Sequence, residues 1–292
     1  MRESGEMDDR SITLSDGRRL AWREYGPAGG TPVFLFHGTP GCRLDHDPFE
    51  RPTAVRTIVP DRPGFGLSDP LPGRTLGGWA DDVAQLADAL DLERFHVAGI
   101  SGGGPYALAC AARLPSRVIA VGVICGVGPL HRDELRAGMN EQNTAMDDLA
   151  RNAPDMLREI CRTIATEASA DIRTFFRAGY DGLVEPDKAV IDIPAAEEML
   201  LASGLEAFRQ GGDAFADDLI IHSSPWDIDP ATISCPVLFV HGTLDRNVPL
   251  SHAEYLAGVV PGAQFDVLED EGHLSVAIHH SVPLAERLAA IA

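Results

Sequence analysis

Lysine is all but missing from this chain: Lys188 is the only one. Lysine and arginine together number 24 against 44 aspartates and glutamates, for a formal net charge of −20. A surface of that sign repels phosphate backbones and anionic lipid, so nucleic acid and membranes are not expected partners. The acid excess is spread along the chain instead of gathered in a tail; it reads as solvated surface and says nothing about substrate. Cysteine is sparse as well. Cys42, Cys110, Cys125, Cys161 and Cys235 are odd in number, and no pair has the spacing of a zinc site or a Cys-x-x-Cys motif. A reducing cytoplasm is the compartment that fits, with Cys110, Cys125 and Cys235 as small core residues in apolar surroundings. No apolar run approaches the roughly 20 residues of a membrane span. Met1 to Arg10 is charged and lacks the apolar block of a secretory leader. Repeats and low-complexity blocks are absent. What remains is an ordinary globular composition, 45% hydrophobic over 292 residues, enough for one large domain or two modest ones.

Buried-strand and helix patterns alternate through the first part of the chain. Strands are expected at Arg19 to Tyr25, after the Asp16-Gly17 turn, and at Val33 to Phe36, Thr57 to Val59, Phe95 to Ile100 and Val118 to Ile124. Helical spacing is present from Trp79 to Leu90 and from Pro105 to Leu114. After Gly128-Pro129 the pattern changes. From Leu130 to about Ile228 there are only helical or irregular stretches, with helices expected at Asp133 to Leu149, Pro154 to Thr166, Pro194 to Phe208 and Asp213 to Ile221. Strand and helix then alternate again at Val237 to Val240, His252 to Val259, Gln264 to Leu268 and Ser281 to Ile291. Such alternation predicts an α/β fold with a parallel sheet covered on both faces. The helical block is most economically a lid over the sheet's C-terminal edge, where open α/β sheets bind ligands. The expected division is therefore a core of residues 1–129 and 229–292 and a helical cap of residues 130–228.

The chemistry concentrates at Gly99-Ile100-Ser101-Gly102-Gly103, between an apolar strand run and an Ala-rich helical run. A Gly-x-Ser-x-Gly at a strand-to-helix turn has the form of a nucleophile elbow, with the serine oxygen lifted above the sheet edge. A serine hydroxyl needs a base within hydrogen-bond reach. His273, in Asp270-Glu271-Gly272-His273-Leu274 between the last strand and the last helix, is the expected base. His252, His279 and His280 fall in helical contexts and His96 starts a strand, while His37 is expected to brace its loop. The imidazole in turn needs a carboxylate to fix its tautomer. Asp245, just past the end of the Val237 to Val240 strand, is the expected acid; Asp266, Glu269 and Glu271 lie nearer His273 in sequence. For the oxyanion the expected donors are the backbone N–H of Gly102 and, from the loop His37-Gly38-Thr39-Pro40-Gly41, that of Thr39, because Pro40 has no N–H to give.

These segments, with Asp61-Arg62-Pro63-Gly64-Phe65-Gly66-Leu67-Ser68 and His241-Gly242-Thr243-Leu244-Asp245, resemble the α/β-hydrolase superfamily in order and over nearly the whole chain. The order Ser101, Asp245, His273 is the order expected there. Within the superfamily the chain resembles the capped branch of serine esterases, C–C-bond hydrolases, perhydrolases and proline iminopeptidases. A serine at position 101 instead of aspartate speaks against epoxide hydrolases and haloalkane dehalogenases. The resemblance implies a mostly parallel eight-stranded sheet flanked by helices, an inserted helical cap, and a cofactor-free and metal-free Ser-His-Asp triad acting on small carboxylic esters, with lactones and thioesters as further candidates. Phe175, Phe176, Met199 and Trp226 are candidate pocket residues, as are Phe208 and Phe215. Two other readings stay open. A proline-iminopeptidase-like enzyme would need cap carboxylates to hold a free amine, for which Glu134, Glu141, Glu197 and Glu198 are available. A non-catalytic small-molecule receptor could keep the complete triad.

Overall fold

The computed structural model describes residues 9–46, 48–49 and 54–292; the leader expectation for Met1 to Arg10 lies almost wholly outside them. Eight strands form one sheet in the order β1-β2-β4-β3-β5-β6-β7-β8. They are β1 (Arg10–Thr13), β2 (Arg19–Tyr25), β3 (Thr31–Phe36), β4 (Val55–Pro60), β5 (Phe95–Ile100), β6 (Val118–Ile124), β7 (Val237–Gly242) and β8 (Gln264–Leu268). β1 and β2 pair antiparallel, β2 joins β4 antiparallel, and every pair from β4 to β8 is parallel.

The period of two along each strand sorts side chains between two cores. Phe34, Phe36, Phe95, Val97, Val121 and Phe239 point to one face, where they meet Trp79, Val83 and Leu86 of α1 (Leu76–Ala89), Tyr106 and Leu108 of α2 (Gly104–Arg113), and Leu256 of α9 (Ser251–Val259). Val33, Leu35, Ala98, Ile124, Leu238 and Val240 point to the other, against Val276, Leu284 and Leu288 of α10 (His273–Ala289). Buried on both sides, these strands read as continuous apolar runs, which is why the sequence shows them so plainly. Cys110 and Cys125 are buried in these cores, whereas Cys235 is only half-buried.

Between β6 and β7 the described chain is helical: α3 (Glu141–Asn152), α4 (Pro154–Ala170), α5 (Ile172–Arg177), α6 (Glu185–Ile191), α7 (Pro194–Ala207) and α8 (Asp213–Ser223). The single helix expected from Asp133 to Leu149 is instead two pieces. A 3₁₀ turn, Asp133–Arg136, ends before Gly138, whose φ of 90° no helix accepts. α3 then starts afresh behind Asn140, whose side chain accepts from Asn143 N. The last helix is longer than its apolar spacing suggested and begins at His273 itself. The insertion lies at the end of the sheet where β3, β5 and β7 finish, since residues just past those strands bond to α8 and to the start of α3. Among the described residues no helix is long and apolar enough to cross a membrane.

Candidate active site

Ser101 follows β5 with φ of 53°, a left-handed conformation that a non-glycine residue rarely holds without compensation. The compensation is close packing around the turn. A Cβ on Gly99 would lie 2.2 Å from Gly103 O, and one on Gly103 would lie 2.2 Å from Phe36 O, so only glycine fits at either side. The chain then enters a 3₁₀ turn and α2, leaving the N–H of Gly102 in a first turn without an intrahelical acceptor.

Three side chains from separate parts of the chain form one hydrogen-bonded line. His273 Nε2 lies 3.1 Å from Ser101 Oγ, and His273 Nδ1 lies 2.7 Å from Asp245 Oδ2. Asp245 is itself fixed, with Oδ1 accepting from the backbone N–H groups of Asn247 and Val248 at 2.9 Å each. Burial alone would push the His273 pKa down; the adjacent Asp245 carboxylate overrides it and holds the imidazole well above its ordinary value. Burial alone would raise Asp245, yet the charge of His273, with bonds from His241 and His273, keeps its carboxyl well below the usual range. Asp266 is instead paired with Arg287 at the surface, and Glu269 is exposed. His37 does not reach Ser101. It is wholly buried, accepts from Arg62 N at 3.1 Å, and is held neutral by burial and by the Arg62 charge.

The loop after β3 abuts the elbow: a Cβ on Gly102 would come within 2.2 Å of Thr39 Oγ1. Sequence reasoning missed what holds this loop. Arg62, fully buried, donates to the carbonyls of His37 and Gly38, at 2.5 and 2.8 Å, and to Thr39 Oγ1 at 2.9 Å. Asp218, on α8 of the insertion, accepts from Thr39 Oγ1 at 2.6 Å, from Arg62 at 2.7 Å and from Tyr106 at 2.6 Å, and pairs with Arg74 at 2.7 Å. One turn further along α8, His222 is within 3.1 Å of Gly102 O; burial lowers its pKa to about 4, so its ring is neutral and donates to that carbonyl. The only available signal was spacing: Ala214, Asp218 and His222 recur at four and share the buried face of α8.

Ser101, Thr39, Gly102 and His273 open onto a cavity of about 490 Å³. Phe175, Phe176, Met199, Phe208 and Phe215 line it from the insertion, and Leu35 and Ile100 from the core. Trp226 does not line it. The chain leaves α8 at Ser223 and returns to the sheet layer, where Trp226 packs on the core with α1 and α2. The four glutamates considered for a substrate amine are elsewhere too. Glu134 pairs with Arg132 in solvent, Glu197 is held between Arg173 and Arg177, and Glu141 and Glu198 are exposed. Among the described residues two carboxylates border the cavity, and both are engaged. Asp45 bonds Gly38 N and Ser203 Oγ, and Asp147 bonds Ser223 Oγ and faces Arg136 and Arg151. Cys125, Asp245 and His273 are the one group of three potential metal donors brought within 4.8 Å among the described residues. Two of them are already bonded to each other, and Cys125 Sγ donates to His273 O.

Residues 31–279 match the alpha/beta hydrolase fold family, and the chain belongs to it. It is 29% identical over 255 residues to a non-heme chloroperoxidase of Streptomyces lividans, covering 83% of this chain and 84% of that one. It is 25% identical over 291 residues to a proline iminopeptidase of Xanthomonas citri, covering 90% of each. Among solved structures it is similar to a thermophilic esterase from Thermogutta terrifontis, with a TM-score of 0.62, 26% identity and 96% of each chain covered.

Proposed function

We propose that this protein is a serine hydrolase acting on carboxylic esters with an apolar acyl group. The observation that carries the reading is the Ser101–His273–Asp245 line opening onto an apolar cavity. Ser101 Oγ attacks the ester carbonyl as His273 Nε2 takes its proton, and Asp245 stabilises the imidazolium. The N–H groups of Thr39 and Gly102 bind the developing oxyanion. His273 returns the proton to the departing alcohol, leaving acyl-Ser101. Water then adds to the acyl carbon by the same path, releasing the acid and restoring the serine. The inserted helices act as the lid that supplies the acyl pocket. Lactones and thioesters present the same carbonyl to the same groups.

The peptidase reading is disfavoured because, among the described residues, neither carboxylate at the cavity is free to hold a substrate ammonium, although a proline iminopeptidase is among the relatives. The receptor reading predicts binding without turnover. Hydrolysis of p-nitrophenyl acetate, butyrate and hexanoate, compared with proline-β-naphthylamide, tests all three. Ester turnover is expected, with kcat/KM rising about fourfold per buried methylene until the cavity fills. Cleavage of the naphthylamide alone would favour the peptidase, and no turnover of any substrate would favour the receptor.

A further inference from the structure

α10 begins at His273, and its N-cap residue is Gly272, which has no side chain with which to cap it. The missing cap is supplied from the insertion. Asp187 on α6, 3% exposed, accepts from His273 N at 3.1 Å through Oδ2 and from Ser275 N at 2.9 Å through Oδ1. A Cβ on Gly272 would lie 2.4 Å from Asp187 Oδ1, so the glycine before the histidine is the space this carboxylate occupies. The first turn of a helix of 17 residues carries positive partial charge. Left alone, that charge would oppose protonation of the imidazole beside it.

We propose that Asp187 is a positioning residue for His273: its carboxylate fixes the backbone at the histidine and offsets the positive end of α10, so that the imidazole takes up a proton when Ser101 reacts. The inference rests on the reading of His273 as the base. The groups facing His273 are Ser101 after β5, Cys125 after β6, Asp245 after β7 and Asp187 on α6. Elsewhere on α6, Lys188 and Glu185 pair with each other at the surface. Glu271, just before α10, lies 3.9 Å from His280. Burial raises the Asp187 pKa, while the Ser275 N–H bond and the charge of His273 pull it down.

Asp187→Asn keeps one of the two acceptor oxygens and removes the charge; Asp187→Ala removes both acceptors and the charge. The readouts are the imidazole titration of His273 by NMR, which needs no turnover, and the pH dependence of Ser101 labelling by a fluorophosphonate. Loss of the carboxylate disfavours the imidazolium, so in Asp187→Asn both should shift to lower pH by about one unit. At the plateau kcat should fall about three- to tenfold with KM little changed, and further in Asp187→Ala. Glu185→Gln, on the same helix but at the surface, should leave both profiles in place. A purely structural cap would lower Tm and the active fraction while leaving the two titrations where they are in the wild type. That result, or an equal shift in Glu185→Gln, would overturn the proposal. Should Asp187→Ala fail to fold, Asp187→Asn carries the test alone. Labelling that persists at the wild-type rate in His273→Ala would instead bring down the base assignment. Labelling lost in His273→Ala but unmoved in Asp187→Asn would bring down only the role of Asp187.

Discussion

Asp218 Oδ2 lies 2.6 Å from Thr39 Oγ1 across 179 positions of sequence, so a helix of the insertion holds the loop beside Ser101. The same carboxylate anchors Arg62, whose guanidinium ties down the carbonyls of His37 and Gly38. Asn140 and Asn143 at the start of α3 bond to Asn247, next to the Asp245 loop, and Asp187 bonds to the start of α10. Each loop carrying a candidate active-site group therefore rests on a polar contact with the insertion.

Asp218→Asn should leave Arg62 and Arg74 as buried cations without their anion. Breaking a buried pair from one side costs about 3–5 kcal/mol. Thermal unfolding should move down by roughly 10 °C. Ester turnover below that temperature should fall as the Thr39 loop loosens. Stability within a degree of wild type would show that the amide satisfies both guanidinium groups.

Ser101→Ala should abolish fluorophosphonate labelling while circular dichroism and Tm stay near wild type. The proton acceptor and the raised turn would be intact in that variant, and only the nucleophile would be missing. Labelling that persists would place the nucleophile elsewhere.

Asp245→Asn should lower kcat by roughly 10²- to 10⁴-fold with a smaller change in KM, because the amide favours the wrong imidazole tautomer and leaves the imidazolium unsupported. In the wild type, kcat/KM should rise with pH through a value above 6.5, since His273 must lose its proton to act as base and Asp245 holds that proton tightly. Asp266→Asn and Glu269→Gln should change kcat little, as one carboxylate pairs with Arg287 and the other faces solvent. A collapse in either, with Asp245→Asn active, would reassign the acid.

Acid should destabilise the protein through its buried histidines, and His222 and His252 define a readable part of the window. Burial lowers His222 and His252 from 6.5 to about 4. A depressed folded-state value stabilises above the unfolded pKa and is lost as pH falls through the folded one. The loss should therefore run from pH 6.5 down to about 4, worth at most about 3 kcal/mol per histidine. His252 accepts from Gly128 N and donates to Leu135 O, so His252→Gln should lower Tm at neutral pH and flatten part of this dependence. An unchanged slope of Tm against pH would exclude its contribution.

The parallel strands were legible because they are buried on both faces: Val33 to Phe36 and Val237 to Val240 are unbroken apolar runs. β1 was not, since only Ile12 of its four residues is even half-buried and the edge needs no pattern. The residues placed in line at Ser101, Asp245 and His273 were legible because each sits at the junction of a strand run with a turn. The insertion hid its contribution. Asp187 and Asp218 are two acids among 44, and nothing local separates a buried carboxylate with distant partners from one in solvent. Trp226 misled for the converse reason: a large aromatic near a candidate pocket looks like lining until the chain path shows which layer it enters.

The sheet order also bears on biosynthesis. β6 is a buried apolar strand whose outer neighbour is β7, and the whole insertion is made before β7 leaves the ribosome. During that interval the edge of Val118–Ile124 has open backbone groups and no partner strand, the condition in which nascent chains pair with one another. Ser101 and its turn are already made by then, but Asp245 and His273 are still to be translated. The growing chain thus has an open β6 edge and an unaccompanied Ser101 together, and the same C-terminal segment completes both.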